Sequence, residues 1–262
     1  EAQTPADRHA FSEALETYRK RVLGNLAAKT QTEYGRYLKY WEGIFGELPV
    51  SQITIDRLIE EQDKLVDEPI QREFGGNGNG QLRSGATVNR YFATLSNVFT
   101  KTIIKHKRWT TSNPCSFIDS RYEGEGRKRM LSLEEKERLL AHLKDSLEDN
   151  GLLADLYFAV RLALSTGARK EEIWSLKRHQ INWQESTITF DETKNDLEQT
   201  VLLPPEIMEL LTKRPARIDT QMIFPSRKNP QKGFDFRNQF ELALEKTGIK
   251  DFTWHSFRHT SA

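Results

Sequence analysis

The stretch from Leu152 to Ser165 restricts the fold of this chain more than any other, because it is apolar on nearly every face of a helix. A helix without a polar face is stable in water only when other elements surround it. The second half of the chain is therefore predicted to form a domain with this helix buried at its centre.

Shorter elements are predicted around the central helix. Ser132 and Glu135 form a capping box that opens one helix, and Pro204-Pro205 opens another. A last helix is predicted to be stopped by Gly248. Runs rich in β-branched and aromatic residues predict three short strands, the last two joined by a turn. The second domain is thus expected to be mostly helical with one small antiparallel sheet, its strands at residues 181–183, 187–190 and 200–203.

The first 110 residues carry four amphipathic helical patterns, which predict a small helical bundle. Residues 1–7 are expected to be a frayed tail, and the glycine-rich run 75–80 a flexible connector. Thr30 and Glu33 form a capping box that is expected to open the second helix. The fourth helix is expected over about 86–106. The third, over about 54–66, is expected to direct Ile55, Leu58, Ile59 and Leu65 inward.

An irregular stretch separates the two halves. Asn113-Pro114, Gly124 and Gly126 are typical of a linker, because proline and glycine interrupt regular structure. The predicted organisation is a helical domain at 1–110, a linker at 111–130 and a second domain at 131–262.

Positive charge is concentrated on both sides of this linker. The net charge of +1 argues against a uniformly basic nucleic-acid binder, so local clusters are the better guide. Cations also favour helix C-termini, and charge runs are often only solvated faces. Contact with DNA is the interpretation preferred here. The residues expected to make it are Arg90, Lys101, Lys105, Lys107, Arg108, Arg127, Lys128 and Arg129.

The composition of the chain excludes several classes of protein. The 262 residues, 37% hydrophobic and 29% charged, are typical of a soluble globular protein. No apolar run approaches the roughly 18–20 residues that cross a bilayer, and residues 1–21 lack a signal peptide core, so a cytoplasmic protein without membrane contact is expected. The single cysteine, Cys115, excludes an internal disulfide and is expected to be a half-buried small residue. Because the chain begins at Glu1 and ends inside a helical pattern, it is expected to be an excised piece of a longer protein.

Two short motifs carry residues suited to holding a phosphate. Arg169 follows a Thr-Gly turn and begins a helix, and Glu172 lies three residues on. His255 and Arg258, at i and i+3, share one helical face. A guanidinium group offers a fork matched to phosphate oxygens, and histidine transfers protons near neutral pH. A phosphate site is the preferred interpretation over ordinary surface residues.

Other interpretations of these motifs stay open. His255 and His259 have the i, i+4 spacing of a zinc site, but Ser256 stands where such sites carry glutamate. His259 is therefore expected to pack against or support the site. Lys194 lies in a predicted turn between two strands, where lysines are usually only solvated.

At these residues the chain resembles the tyrosine recombinase (phage integrase) family. The family's motifs are an arginine in Thr-Gly-x-Arg-x-x-Glu, a hairpin lysine, and His-x-x-Arg followed by His-Thr. The resemblance implies an N-terminal four-helix core-binding (SAM-like) domain and a mostly helical catalytic domain with a small antiparallel sheet, truncated at its C-terminus. It implies that Lys194 protonates the departing 5′ oxygen, with Lys170 and Lys177 as other candidates. The catalytic residues implied are Arg169, Lys194, His255 and Arg258, with Glu172 and His259 in supporting positions.

The resemblance also implies a reaction and its partners. A site-specific recombinase of a mobile element would cut and rejoin duplex DNA through a 3′-phosphotyrosine, as a homo-tetramer on paired sites, without a cofactor or metal. The family's nucleophilic tyrosine follows His-x-x-Arg, and all seven tyrosines here precede His255. This chain is therefore expected to bind DNA without cleaving it. A noncatalytic DNA-binding regulator of the same fold and a type IB topoisomerase are the alternatives.

Overall fold

The computed structural model divides the chain into two compact units, Glu1–Gly126 and Arg127–Ala262. The residues that the structure describes are 3–70, 80–126, 129–145, 151–190, 198–214 and 217–260. Within them, no helix has both the length and the hydropathy that crossing a membrane requires.

Unit 1 is a helical bundle around a tryptophan. Trp41 is fully buried, stacks on Phe45 at a ring-centroid distance of 5.6 Å and donates its Nε1–H to the carbonyl of Tyr91 at 2.9 Å. Ser84 caps the helix that carries Tyr91, because its hydroxyl accepts a bond from the backbone N–H of Thr87. The helices are α1 (Pro5–Arg8), α2 (Phe11–Arg21), α3 (Ala28–Phe45), α4 (Ile55–Asp67) and α5 (Gly85–Val98), the last continuing as a π-helix over Phe99–Lys107.

Three local predictions for unit 1 are wrong. The expected frayed tail contains the helical turn α1, capped by Thr4 and Asp7. The second helix begins at Ala28 and not at the expected capping box, because Thr30 and Glu33 already lie inside it. On α4, Leu58 and Leu65 are buried as expected, but Ile55 and Ile59 are 37% and 45% exposed among the described residues. The predicted glycine-rich connector lies outside the described residues except for Gly80.

Residues 111–126, which the sequence predicts to be part of a linker, belong to unit 1 and pack against its helices. The Asn113 amide donates to the hydroxyls of Ser96 and Thr100 at 2.9 and 3.1 Å, and Cys115 is buried in the core. Asn89 exchanges two 2.8 Å bonds with the backbone of Arg121. The boundary between the two units lies between Gly126 and Arg127, within the residues predicted as a linker.

Unit 2 surrounds the central helix that the sequence predicts. Leu156, Phe158, Val160 and Leu162 on this helix are buried, and five other helices pack against it. The predicted capping box is present: Ser132 accepts from the backbone N–H of Glu135 at 3.2 Å and donates its own N–H to that carboxylate at 3.0 Å. The helices of unit 2 are α6 (Leu133–Asp145), α7 (Gly151–Thr166, the central one), α8 (Lys170–Trp174), α9 (Pro205–Thr212), α10 (Arg237–Lys246) and α11 (Phe257–Thr260).

The small sheet of unit 2 agrees with the predicted one. Its strands are β1 (Ile181–Asn182), β2 (Thr187–Phe190) and β3 (Gln199–Leu202), antiparallel in the order β1-β2-β3. The fully buried Ile188 pairs with Ile181 on one side and with Val201 on the other. The chain is therefore mainly helical with one small antiparallel sheet, as the sequence predicts.

Candidate active site

Arg169 lies in a tight turn between α7 and α8. The hydroxyl of Thr166 donates to the carbonyl of Leu162 at 2.7 Å and accepts from the N–H of Ala168 at 3.2 Å. Gly167 has a φ of +60°, a left-handed conformation that glycine adopts without strain. This turn ends α7 and places Arg169 directly before the first residue of α8.

Glu172 fixes the orientation of Arg169. One carboxylate oxygen accepts from the backbone N–H of Arg169 at 2.6 Å, and the other accepts from its Nη1 at 2.7 Å. The Glu172 side chain is only 10% exposed, and the guanidinium group is partly exposed. A buried carboxylate that holds both the backbone and the guanidinium group leaves the arginine few orientations.

The second motif begins in a capped 3₁₀ turn. Thr253 precedes the turn Trp254–Ser256, and its hydroxyl bonds with that of Ser256 at 3.1 Å. His255 is exposed, whereas Trp254, Ser256 and Phe257 are buried. This alternation holds the motif against the core while its imidazole faces solvent.

Arg258 and His259 follow on α11. Arg258 is half-buried, and His259 is exposed, with its ring edge-to-face on His255 at a centroid distance of 5.9 Å. No group of three His, Cys, Asp or Glu side chains among the described residues is arranged to hold a metal ion.

A pair of tryptophans connects the two motifs. Trp174 on α8 packs edge-to-face on Trp254 at a centroid distance of 5.2 Å, and α11 packs against α7. Lys170 and His255 line the same cavity. The helix that Arg169 begins and the segment of His255 and Arg258 therefore belong to one part of unit 2. Sequence reasoning missed this contact, because nothing local signals that two tryptophans 80 residues apart will meet.

The three lysines considered as proton donors have different surroundings, and the structure describes two of them. Lys194 lies outside the described residues, in the connection between β2 and β3. Lys170 lies over the ring of Trp174 at 4.8 Å and 3.4 Å from a carboxylate oxygen of Glu171. Lys177 is exposed.

Most of the predicted DNA-contacting cations that the structure describes form no ion pair with a carboxylate of the described residues. On unit 1, Lys107 lies over the ring of Trp109 at 5.2 Å. Arg129 in unit 2 pairs with Glu135 at 2.5 Å, so its charge is already balanced within the chain. Arg127 and Lys128 lie outside the described residues. The exposed cations are Arg90, Lys101, Lys105 and Arg108.

Comparison with known proteins gives sequence matches over most of the chain. Residues 129–262 match the model of the phage integrase family. The chain is 34% identical over 193 residues to an integrase of Haemophilus phage HP1, a match that covers 72% of this chain and 50% of that protein. It is 27% identical over 182 residues to a shufflon-specific DNA recombinase of Escherichia coli, covering 69% and 44%. The chain thus spans about half the length of the curated relatives it matches.

Solved structures with a similar fold cover both units. The Tn1549 transposon integrase in complex with transposon right end DNA gives a TM-score of 0.74 at 17% identity, over 97% of this chain and 85% of that one. A lambda integrase dimer bound to a COC′ core site gives 0.70 at 17%, over 97% and 88%. A lambda integrase tetramer bound to a Holliday junction gives 0.69 at 16%, over 97% and 72%. These identities establish the fold.

The fold is thus that of the integrases among the tyrosine recombinases. With half of its length matched by the family model, the chain belongs to the phage integrase family.

Proposed function

We propose that this chain is part of a site-specific DNA recombinase, the integrase of a mobile element, which acts in the cytoplasm. It would cut and rejoin duplex DNA through a 3′-phosphotyrosine intermediate. Family membership supports this proposal, and so do the names of the two relatives, an integrase and a DNA recombinase.

The observation that carries the proposal is the way Glu172 holds Arg169. Two bonds of 2.6 and 2.7 Å fix an arginine whose guanidinium group stays partly exposed, at the beginning of a helix. Such an arginine is prepared to bind an anion without reorganising. Arg258 would share the same phosphodiester, and the two positive charges would stabilise its pentacoordinate transition state.

The remaining groups would move protons. His255 is exposed beside this helix and would take part in proton transfer at neutral pH. Lys194 would protonate the departing 5′ oxygen, since an ammonium group next to a phosphate can supply a proton. Glu172 and His259 would support Arg169 and His255 through the contacts described above. No step in this scheme uses a metal or a cofactor.

The nucleophile is proposed not to be any of the seven tyrosines in these 262 residues. All seven precede His255 in the sequence. Tyr18 is fully buried, and burial raises its pKa to about 12, which makes it a poor nucleophile. A polypeptide of these residues is therefore expected to bind duplex DNA and to form no covalent bond with it.

The proposed partners are duplex DNA and further copies of the chain. Exposed cations on α5 and the π-helix that follows it would contact phosphates. Arg127 and Lys128 would add to this contact, and Arg129 would join it by exchanging its ion pair with Glu135 for a phosphate. Four protomers on two paired sites are proposed, by analogy with the lambda integrase tetramer.

The test separates DNA binding from cleavage in the complete gene product. Arg169→Lys and Arg258→Lys each keep the charge but lose the planar fork, so we expect DNA affinity to change less than about threefold while cleavage of a nicked suicide substrate falls at least about a hundredfold. Arg217→Lys is the matched control, because Arg217 is exposed and pairs with its near neighbour Asp219. Equal loss of binding and cleavage would indicate a folding defect and contradict the assignment.

Two further measurements separate the alternatives. Relaxation of supercoiled plasmid without site preference would indicate a type IB topoisomerase. A complete gene product that binds a specific site but never becomes covalently attached would indicate a noncatalytic regulator.

A further inference from the structure

One face of α5 and of the π-helix that follows it is open to solvent. Arg90, Ala93 and Lys101 are exposed on this face, and Asn97 is half-buried among them. Spacings of three and four residues place these four side chains in one row along the helix, the α5 stripe. The opposite face of the helix packs into the core of unit 1. The α5 stripe is therefore open to a ligand.

The sequence around the α5 stripe contains no carboxylate. Between Ser84 and Ile118 there is no Asp or Glu, and the charged residues are Arg90, Lys101, Lys105, Lys107 and Arg108. Along the helix axis Arg90 and Lys101 are about 16 Å apart. The major groove of duplex DNA is about 12 Å wide and admits an α-helix. Two cations at this distance suit phosphates on the borders of that groove, with the residues between them facing base pairs.

Asn97, which lies between these cations, contributes little to the fold. Its amide donates a hydrogen bond of 3.1 Å to the carbonyl of Ala93 on the same helix, and that bond lies at the surface. Asn89 on the same helix differs, because its amide exchanges two 2.8 Å bonds with the backbone of Arg121 and donates to Glu123 at 2.7 Å. Asparagine is also a weak helix former. A partner outside the fold therefore explains Asn97 better than the fold does.

The remaining groups of the Asn97 amide match adenine. One of its two N–H groups is used on the helix, which leaves the other N–H as a donor and the oxygen as an acceptor. In the major groove adenine presents N7 as an acceptor beside N6–H as a donor. Guanine presents two acceptors there and cytosine a donor, so neither matches the amide. The methyl group of Ala93, one turn away on the α5 stripe, suits contact with a thymine methyl group.

We propose that Asn97 reads an adenine in the major groove of the recombination site. Its N–H donates to N7, and its oxygen accepts from N6–H. Ala93 contacts the thymine methyl group of a neighbouring base pair, while Arg90 and Lys101 hold phosphates. Asn97 thus determines in part which DNA site the recombinase binds. This role rests on the proposed function, because it requires duplex DNA as the ligand.

The test begins with the selection of duplexes from a random library by the 262-residue chain. In the best-bound duplex, exchange of one adenine for any other base should weaken binding by the parent chain about tenfold or more, since a bidentate pair is lost. Asn97→Ala should bind all four bases at that position within about threefold of one another. 7-Deazaadenine there removes only the N7 acceptor, so it should weaken binding by the parent chain about fivefold and leave Asn97→Ala unchanged.

Two further variants separate base readout from other roles. Lys101→Ala, one turn along the same face, should weaken binding to every sequence alike and reduce the slope of log affinity against log salt by about 1. It should keep the preference for adenine. Asn97→Ala should have the Tm of the parent chain, whereas Asn89→Ala should lower Tm, because only Asn89 loses bonds to another segment.

Three outcomes would overturn the role of Asn97 and leave the proposed function standing. The first is duplex binding without any sequence preference. The second is that Asn97→Ala keeps the base preferences of the parent chain. The third is that 7-deazaadenine weakens binding by the parent chain and by Asn97→Ala equally. Failure of the chain to bind any duplex would overturn the proposed DNA binding as well.

Discussion

Glu172 is the residue on which the orientation of Arg169 depends, since each of its carboxylate oxygens holds a different group of that arginine. In the complete recombinase we expect Glu172→Ala to slow cleavage about a hundredfold, because a small displacement of a group that positions the phosphate is enough for such a loss. DNA affinity should change less than about threefold. Single-turnover cleavage of a nicked suicide substrate and a mobility-shift titration measure the two effects.

The neighbouring Glu171 supplies the control for that prediction. Its side chain is 73% exposed and contacts Lys170, whereas Glu172 is 10% exposed. Glu171→Ala should leave the cleavage rate within about threefold of the parent. If both alanine variants cleave equally well, Glu172 does not orient Arg169 in the reaction.

Cys115 reports on the packing of residues 111–126. The thiol is buried, and burial raises its pKa to about 12. Because the folded pKa lies above the unfolded value of about 8.5, this group stabilises the fold fully below pH 8.5, and that stabilisation is lost as the pH rises towards 12. At pH 8 we expect iodoacetamide to alkylate the folded chain at least about a hundredfold more slowly than the urea-unfolded chain. Similar rates in buffer and in urea would show that this segment is open.

The contribution of an N-cap to stability can be tested by comparing two sequence motifs that both match a capping box. At the beginning of α6 the box of Ser132 and Glu135 is formed, whereas Thr30 lies inside α3. Ser132→Ala should lower the free energy of unfolding of unit 2 by about 1 kcal/mol, because a backbone donor loses its acceptor. Thr30→Ala should not lower that of unit 1, since alanine is favoured inside a helix. Urea titration measures both variants, and a loss at Thr30 as large as at Ser132 would contradict the difference.

The elements that the sequence predicts well are those whose signal is local. The apolar run of α7 and the strand patterns each lie within a few adjacent residues, and the structure has the predicted buried helix and three strands there. The exposure of Ile55 and Ile59 was not predictable. Helical periodicity predicts which face of a helix is apolar, but it does not predict which other elements pack on that face. The candidate site likewise has features that could be predicted from the sequence and features that could not. Its motifs are visible in sequence, but the contact of Trp174 with Trp254 depends on tertiary folding.

At the scale of the whole molecule, each unit has its own hydrophobic core. The core of unit 1 includes Cys115, and residues 113–121 form hydrogen bonds with α4, α5 and the π-helix that follows α5. Compactness of this kind indicates that unit 1 can fold without unit 2. It also indicates that a cut at residue 110, where the sequence ends the first domain, removes part of the structure.

We therefore expect a polypeptide of residues 1–126 to unfold cooperatively, and one of residues 1–110 to melt at least about 10 °C lower. The shorter chain loses the burial of Cys115 and the bonds of Asn113, which together amount to several kcal/mol, and each kcal/mol shifts Tm by roughly 4–8 °C in a domain of this size. Within 1–126, Asn113→Ala should reproduce part of the loss, whereas Phe117→Ala should not, because Phe117 is exposed. Thermal melts followed by circular dichroism measure all four chains. Equal Tm values for 1–110 and 1–126 would show that residues 111–126 are a linker after all and that their contacts add no stability.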